Sequence, residues 1–520
     1  MKQHPLCTDT EHELNVAALS IPAELKQEWA ALQTRRHFLG RAGKVMGWAA
    51  MASLVGDKGL TQPAHAASST SLPRSPGVVT PAELKLPNFA PKAKRAIYLF
   101  MSGGPPQMDM LDYKPKLAAM FNQDMPDSVR GAQQLTGMSS GQARFPVAPS
   151  HWSFKKYGQS ETWVSDLLPY TARMVDELTI IKTTNTDAIN HEPAIMLMNT
   201  GNMNAGKPCM GAWLSYGLGS MNDNLPTFMV LQTKMNPLEN SQPVSSRLWS
   251  SGFLSSEYAG VGLRSSGDPV LFLSDPDGVD RDVRRKMLDA VHQINQQTYA
   301  ELGDPETNSR ISQYEMAYRM QTSVPELADL SKEPKSTWDL YGEEAKVAGS
   351  FAYNCLMARR MAERGVRFTQ VYKRGWDVHG NVPKILPILC QETDRACYAL
   401  VTDLKQRGLL DDTLVIWAGE FGRTVYSQGG LSADNYGRDH HPRCFTTWMT
   451  GGGVRSGITY GETDDFSYNV AKDPVHVRDF NATVLHCLGI DHNKLTFNSQ
   501  GLNQKLTGTT PANVVTGLLA

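Results

Sequence analysis

Cysteine is sparse in this chain and shows no metal-binding spacing. Seven cysteines occur in 520 residues, and no two of them form a C-x-x-C pair. That excludes a zinc knuckle, which takes thiolates in closely spaced pairs. An excess of charge is also missing. Lys and Arg total 51 against 52 Asp and Glu, a formal net charge of −1. No field of one sign therefore steers the chain toward nucleic acid. Beyond the first segment, no apolar run approaches the roughly 18 residues that a membrane span needs. The stretch "GGPP" (103–106) invites a phosphate-loop reading, but it lacks the lysine and the spacing of one. There is no internal repeat, and an aromatic content of 8% does not mark a carbohydrate platform.

What is present is ordinary globular composition, 41% hydrophobic and 20% charged. The length suits two or three domains, or one large α/β domain with insertions. The first segment, residues 1–66, reads as an export signal. "TRRHFLG" (34–40) precedes the apolar run "VMGWAAMASLVG", and "PAHAAS" follows with Ala64-His65-Ala66 as a small-x-small cleavage site. Arginine pair, apolar run and cleavage site in that order predict a twin-arginine signal cut after Ala66. That route exports folded chains, so the mature protein is expected to be periplasmic or secreted, with the twin-arginine machinery as a partner. It also favours a metal or cofactor loaded before export. Cys7 leaves with the signal, and Cys355, Cys390, Cys397 and Cys487 lie in helix-like apolar patterns that predict buried thiols.

Residues 67–92 are rich in Pro and Ser and read as a linker. A main domain over 93–510 and a short tail over 511–520 follow. Six short apolar runs bounded by turn residues read as strands buried on both faces: 95–101, 178–182, 227–232, 366–372, 413–418 and 444–449. Between the fourth and fifth, Ile385, Leu389, Ala396, Leu400 and Leu404 share one helical face, and Gly408 ends the helix. Strand, helix and strand over 366–418 make a βαβ unit whose strands are parallel. The expected fold class is α/β, a three-layer α/β/α sandwich around a mostly parallel sheet. Residues 283–325 look helical and suggest an insertion over about 275–345.

Ligands of an open parallel sheet bind beyond the carboxyl ends of its strands. There the sequence places Asp109 and Asp112, then Asp187 and His191, then Asp377 and His379 in "GWDVHGN", then Glu420 and Arg423 in "GEFGRT". Asp439, His440 and His441 in "GRDHHPR" come just before the last strand. Five distant segments thus bring carboxylate or imidazole to one sheet edge. Asp, Glu and His without Cys suit zinc, manganese, iron or calcium. Each segment also has a plainer reading. "DVH" suits a polar turn, Glu420 a strand-end cap, "DHH" a solvated loop, and Asp109 a helix N-cap. Asp187 receives no role, and Trp376 is expected at the rim of the site.

The blocks "AKRAIYLFMSGGPPQMDMLDYKP", "GWDVHGN", "LLDDTLVIWAGEFGRT", "GRDHHPRCFTTWMTGGGVRSGITYGETDD" and "VRDFNATVLHCLGID" resemble the domain of unknown function 1501 family. The resemblance runs from about residue 36 to the C-terminus. It implies exported, twin-arginine-type proteins related to sulfatases and alkaline phosphatases, with an alkaline-phosphatase-like fold and one or two metals at the strand ends. "HEPAIMLMNTG" is similar to the sulfatase nucleophile segment and puts His191 at the nucleophile position. Glu420 stands for an Asp ligand, Phe421 falls where a His ligand is expected, and His440 or His441 becomes the late His ligand. Gly103-Gly104 replaces two Asp ligands, and no Ser, Thr or Cys occupies the nucleophile position, so the usual superfamily mechanisms do not carry over.

These readings predict a metal-dependent hydrolase of phosphate or sulfate esters. Its metal ligands are drawn from Asp109, His191, Asp377, His379, Glu420, His440 and His441. His191 is also a catalytic candidate, and Arg423 is assigned to steady a small anionic ester. The expected cofactor is a divalent metal: zinc, manganese or calcium. A non-catalytic exported binding or structural protein on a degenerate scaffold is the main alternative. A phosphomutase or a carbohydrate-modifying hydrolase is the weaker one.

Overall fold

A computed structural model describes residues 85–235, 244–265, 269–270, 275 and 278–520. The expected export signal and most of the linker lie outside the described residues. All described residues except Arg285–Val291 fall in one compact unit.

The apolar runs form strands because both sides of the sheet are covered. The sequence "RAIYLFM" is β1 (Arg95–Met101), and all seven residues are buried. Further strands are β2 (Thr179–Asn185), β3 (Phe228–Gln232), β4 (Val261–Leu263), β5 (Phe368–Lys373), β6 (Thr413–Ala418), β7 (Gly422–Ser427), β8 (Arg438–His441) and β9 (Phe445–Gly451). Two short ones complete the main sheet, β10 (Ile458–Tyr460) and β11 (Val475–His476). The main sheet runs β10-β2-β9-β6-β1-β5-β3-β4, with β11 paired to the end of β2. β7 and β8 pair with each other as a separate two-stranded ribbon.

Strand alternation sends side chains to two cores. Ile97, Leu99 and Met101 face one core with helices Phe351–Glu363 and Val382–Gln406. Ala96, Tyr98 and Phe100 face the other, with α1 (His191–Thr200), α2 (Met210–Leu218) and the helix Val477–Cys487. The molecule is thus an α/β sandwich of three layers. Among the described residues, all six cysteines are free and buried. Helices Arg281–Leu302, Pro305–Ala328 and Lys335–Tyr341 occupy the stretch that reads as helical.

The βαβ unit forms with β1 slotted between its two strands, parallel to both. β9 is the exception in the sheet, antiparallel to both β6 and β2. An apolar run carries no sign of direction, so the sequence leaves this open. The consequence matters for the site: β9 begins at the edge where β1, β2, β5 and β6 end. The ribbon that precedes it is therefore delivered to the same edge.

Trp376 is not at a rim. It is fully buried in the first core, edge-on to Trp417 at 6.3 Å. The residue next to it, Asp377, is partly exposed, so the Trp376 ring anchors the loop that carries Asp377. Trp376→Ala should cost about 3–5 kcal/mol of folding stability. Urea denaturation reads this directly, and a loss below about 1 kcal/mol would mean that the ring is not a packing anchor.

Candidate metal centre

Four ligand-type side chains meet at this edge. His191, Asp377, His379 and His440 each offer one donor atom, and these atoms all lie within 4.8 Å of one another. His191 opens α1, Asp377 and His379 follow β5, and His440 sits on β8. Asp377 Oδ1 is the common neighbour. It lies 2.6 Å from His379 Nε2, 3.1 Å from His191 Nε2 and 3.4 Å from His440 Nε2.

The opposite nitrogen of each ring is already engaged. His191 Nδ1 is 2.7 Å from Glu420 Oε1, His379 Nδ1 is 2.5 Å from Gln428 Oε1, and His440 Nδ1 is 2.8 Å from the Ile189 carbonyl oxygen. These partners accept, so with an ion in the centre each Nδ1 would carry the proton and each Nε2 would present a lone pair to it. Two of those nitrogens, on His379 and His440, face each other at 3.2 Å. His191 Nε2 is buried and makes no aligned hydrogen bond. Three imidazole lone pairs and a carboxylate oxygen around one point are a donor set that fits a divalent ion.

The electrostatics agree. Burial would raise the Asp377 carboxyl, but hydrogen bonds to His191, His379 and His440 and the Arg423 charge hold it well below the usual carboxylate range. Burial pushes His440 down to about 4, so its ring is neutral. Burial also opposes charge on His191, yet the hydrogen bonds and charges of Asp377 and Glu420 raise it overall. The position therefore favours positive charge. Two carboxylates and one guanidinium give the centre a net charge of about −1, which a divalent ion turns to about +1.

The remaining expected residues have other roles in the fold. Glu420 is fully buried and accepts two bonds from the Gly103 amide, at 2.9 and 3.1 Å, besides holding His191. It holds the His191 ring from outside and is not in the cluster. Asp109 is away from it too. Asp109 and Arg438 form a fully buried pair with contacts of 2.7 and 3.0 Å. His441 points elsewhere because alternate residues of β8 face opposite ways. Its Nε2 lies 2.6 Å from the Tyr468 carbonyl oxygen, and its Nδ1 lies 3.3 Å from Gln133.

Arg423 is not free to receive an anion. It is buried, and it donates to the carbonyls of Gly104, Arg438 and Gly103 and, at 2.5 Å, to Asp377 Oδ1. Phe421 packs its ring against His440 and His191, at 4.5 and 4.9 Å, as an apolar wall. Gly103 is required here. A Cβ at this position would lie 2.3 Å from the Asp377 amide nitrogen, and its φ is +123°. Asp112 is tied to Thr463 and Ser467, and Asp187 to Arg478.

The family described as "Protein of unknown function (DUF1501)" matches residues 93–519. The chain belongs to that family. No curated protein matches it. Solved structures similar to it include Ps i-CgsB, at 12% identity over 77% of this chain and 74% of that one, TM-score 0.34. Another is a protein of the alkaline phosphatase superfamily from Vibrio parahaemolyticus, at 9% over 78% and 70%, TM-score 0.33. A third is the lipoteichoic acid synthase LtaP from Listeria monocytogenes, at 10% over 83% and 81%, TM-score 0.29.

Three groups in this DUF1501 chain escape a reading by residue type: Gln428, the Ile189 carbonyl and Arg438. The first two orient rings of the cluster from loops, and a backbone carbonyl has no sequence signature. Arg438 is in the quoted "GRDHHPR" block, and a buried acid such as Asp109 calls for a cation. That demand is the signal that could have found it.

Asp109→Ala should destabilise the fold by about 3–5 kcal/mol, because it leaves Arg438 buried without a counter-charge. The folded fraction should keep the wild-type metal content, measured by elemental analysis. Loss of metal at unchanged stability would return Asp109 to the ligand set.

Proposed function

We propose that this protein is a metal-dependent hydrolase of phosphate or sulfate esters that works outside the cytoplasm. The observation that carries the reading is the convergence of three imidazole Nε2 atoms on Asp377 Oδ1, with every Nδ1 already held. A divalent ion in this set would supply Lewis acidity toward an ester oxygen and toward water. His191, Asp377, His379 and His440 hold it, and Glu420, Gln428 and Ile189 fix the rings. Phe421 keeps water from one side.

An anionic ester is favoured for two reasons. The loaded centre carries a net charge of about +1. α1 begins at the ligand His191, and no side chain caps its N-terminus, so its first amides and its dipole favour an anion. The first turn, His191–Ala194, contains no Ser, Thr or Cys, so water is the attacking group. The extracytoplasmic placement rests on Arg35–Arg36 and Ala64-His65-Ala66. Among the described residues, no helix is long and apolar enough to cross a membrane.

The alternative, a binding protein without turnover, draws on one observation. Arg423, the cation next to the centre, is fully engaged within the protein. Native protein should hold about one divalent ion per chain, and His379→Ala should lose most of it. Metal-loaded protein should hydrolyse members of an aryl phosphate and aryl sulfate panel, and a chelator should abolish that activity. Metal bound with no turnover across the panel would favour the binding reading.

Acid should weaken metal binding, because the ligand nitrogens must be deprotonated. His191 is raised above its ordinary value of 6.5, so protons compete there first. Chelator competition should show the affinity starting to fall above pH 6.5 as the pH is lowered. A flat profile down to pH 5 would be at odds with imidazole ligation.

A further inference from the structure

The groups that orient the rings have to be held in turn. For His440 and His379, whose Nε2 atoms face each other at 3.2 Å, the holding groups trace back to one segment. Residues 133–142 follow the short helix Asp127–Arg130 and contain neither helix nor strand. Their middle is a tight turn. The amides of Ser139 and Ser140 donate to the Thr136 carbonyl at 3.2 and 3.0 Å, and the Met138 amide donates to Thr136 Oγ1 at 3.2 Å. Gly137, Met138 and Ser140 are exposed, whereas Thr136 and Ser139 are buried. The turn therefore directs two hydroxyls inward.

Both hydroxyls meet Asp439, which faces away from His440 by the alternation along β8. Thr136 Oγ1 donates to Asp439 Oδ2 at 2.5 Å, and Ser139 Oγ donates to the same oxygen. Asp439 Oδ1 accepts the backbone amide of His440 itself, at 2.7 Å. Asp439 is fully buried, and a buried carboxylate stripped of its donors carries a desolvation penalty that drives it to move. The far end of the segment does the same for His379. Gln142 Nε2 donates to the Ser427 carbonyl at 3.2 Å, and Gln142 Oε1 accepts from the Gly429 amide at 2.8 Å. Ser427 and Gly429 flank Gln428, whose side chain lies 2.5 Å from His379 Nδ1. One segment thus grips the backbone behind two of the three rings.

We propose that residues 133–142 form a clamp that sets His379 and His440 for metal binding, with Thr136, Ser139 and Gln142 as positioning residues. They act through Asp439 and Gln428. The clamp deepens the hydrolase reading and rests on its metal centre. Ligands held from behind keep their geometry when the ion leaves, so the clamp raises affinity by pre-organisation.

Zinc affinity by chelator competition, and the visible spectrum of cobalt-loaded full-length protein, test the clamp without turnover. The cobalt bands report the arrangement of ligands around the ion. The paired variant Thr136→Val/Ser139→Ala should weaken zinc binding about tenfold and shift the cobalt bands. Gln142→Ala should do both to a smaller extent. Thr136→Ser, which keeps the hydroxyl, should match wild type. Thr450→Val is the control for stability, because it removes a buried bond of 2.6 Å to the Glu177 carbonyl at the opposite end of β9. It should lower thermal stability and leave zinc affinity and the cobalt bands unchanged. Wild-type affinity and bands in both clamp variants would overturn the proposal. So would losses that Thr450→Val reproduces at equal stability. Wild type that binds neither metal would overturn the clamp together with the centre. Failure of the hydrolase reading alone looks different: clamp-dependent metal binding with no ester turned over.

Discussion

The carboxylate of Asp377 is the contact on which the site depends. One of its oxygens is shared between a buried guanidinium on one side and three imidazole nitrogens on the other. Arg423 neutralises part of that charge and also ties down the carbonyls of Gly103, Gly104 and Arg438. The same residue therefore sets the electrostatics of the centre and joins the loop after β1 to the ribbon β7–β8. Gly103 completes the arrangement by leaving room for the Asp377 backbone, and its amide holds Glu420. A change in any of these would shift the shared carboxylate relative to the rings.

The second feature is that every ring is oriented from outside the cluster. Glu420, Gln428 and Ile189 come from three different loops, and each fixes one tautomer. Without an ion, Asp377 and Glu420 favour a proton on His191, and packing of the surrounding loops holds the rings in place. Trp376 anchors one loop in the core and Phe421 walls off another side. Pre-organisation of this kind suits a group that binds a cation tightly and keeps an open face toward solvent.

Much of the site was legible because of how α/β sheets place their loops. Strand ends could be read from short apolar runs, and the polar residues just beyond them include all four members of the cluster. What failed was the sorting of members from neighbours. Asp109 lies at the right edge but pairs with Arg438, 329 positions away in the chain. His440 and His441 are adjacent, and only the pairing of β8 with β7 sends the first inward and the second toward Tyr468. Arg423 looked like a substrate contact, yet the fold uses it as an internal counter-charge.

The amino-acid sequence alone determined the layered α/β class, the six apolar strands of the main sheet and the edge at which chemistry gathers. Those follow from local apolar patterning and from the rule that covered strands end in loops. Tertiary structure alone decided the antiparallel course of β9, which residues touch one another, and which nitrogen of each histidine faces the centre. These depend on register and on partners hundreds of residues apart, including a backbone carbonyl, and local patterning does not encode them.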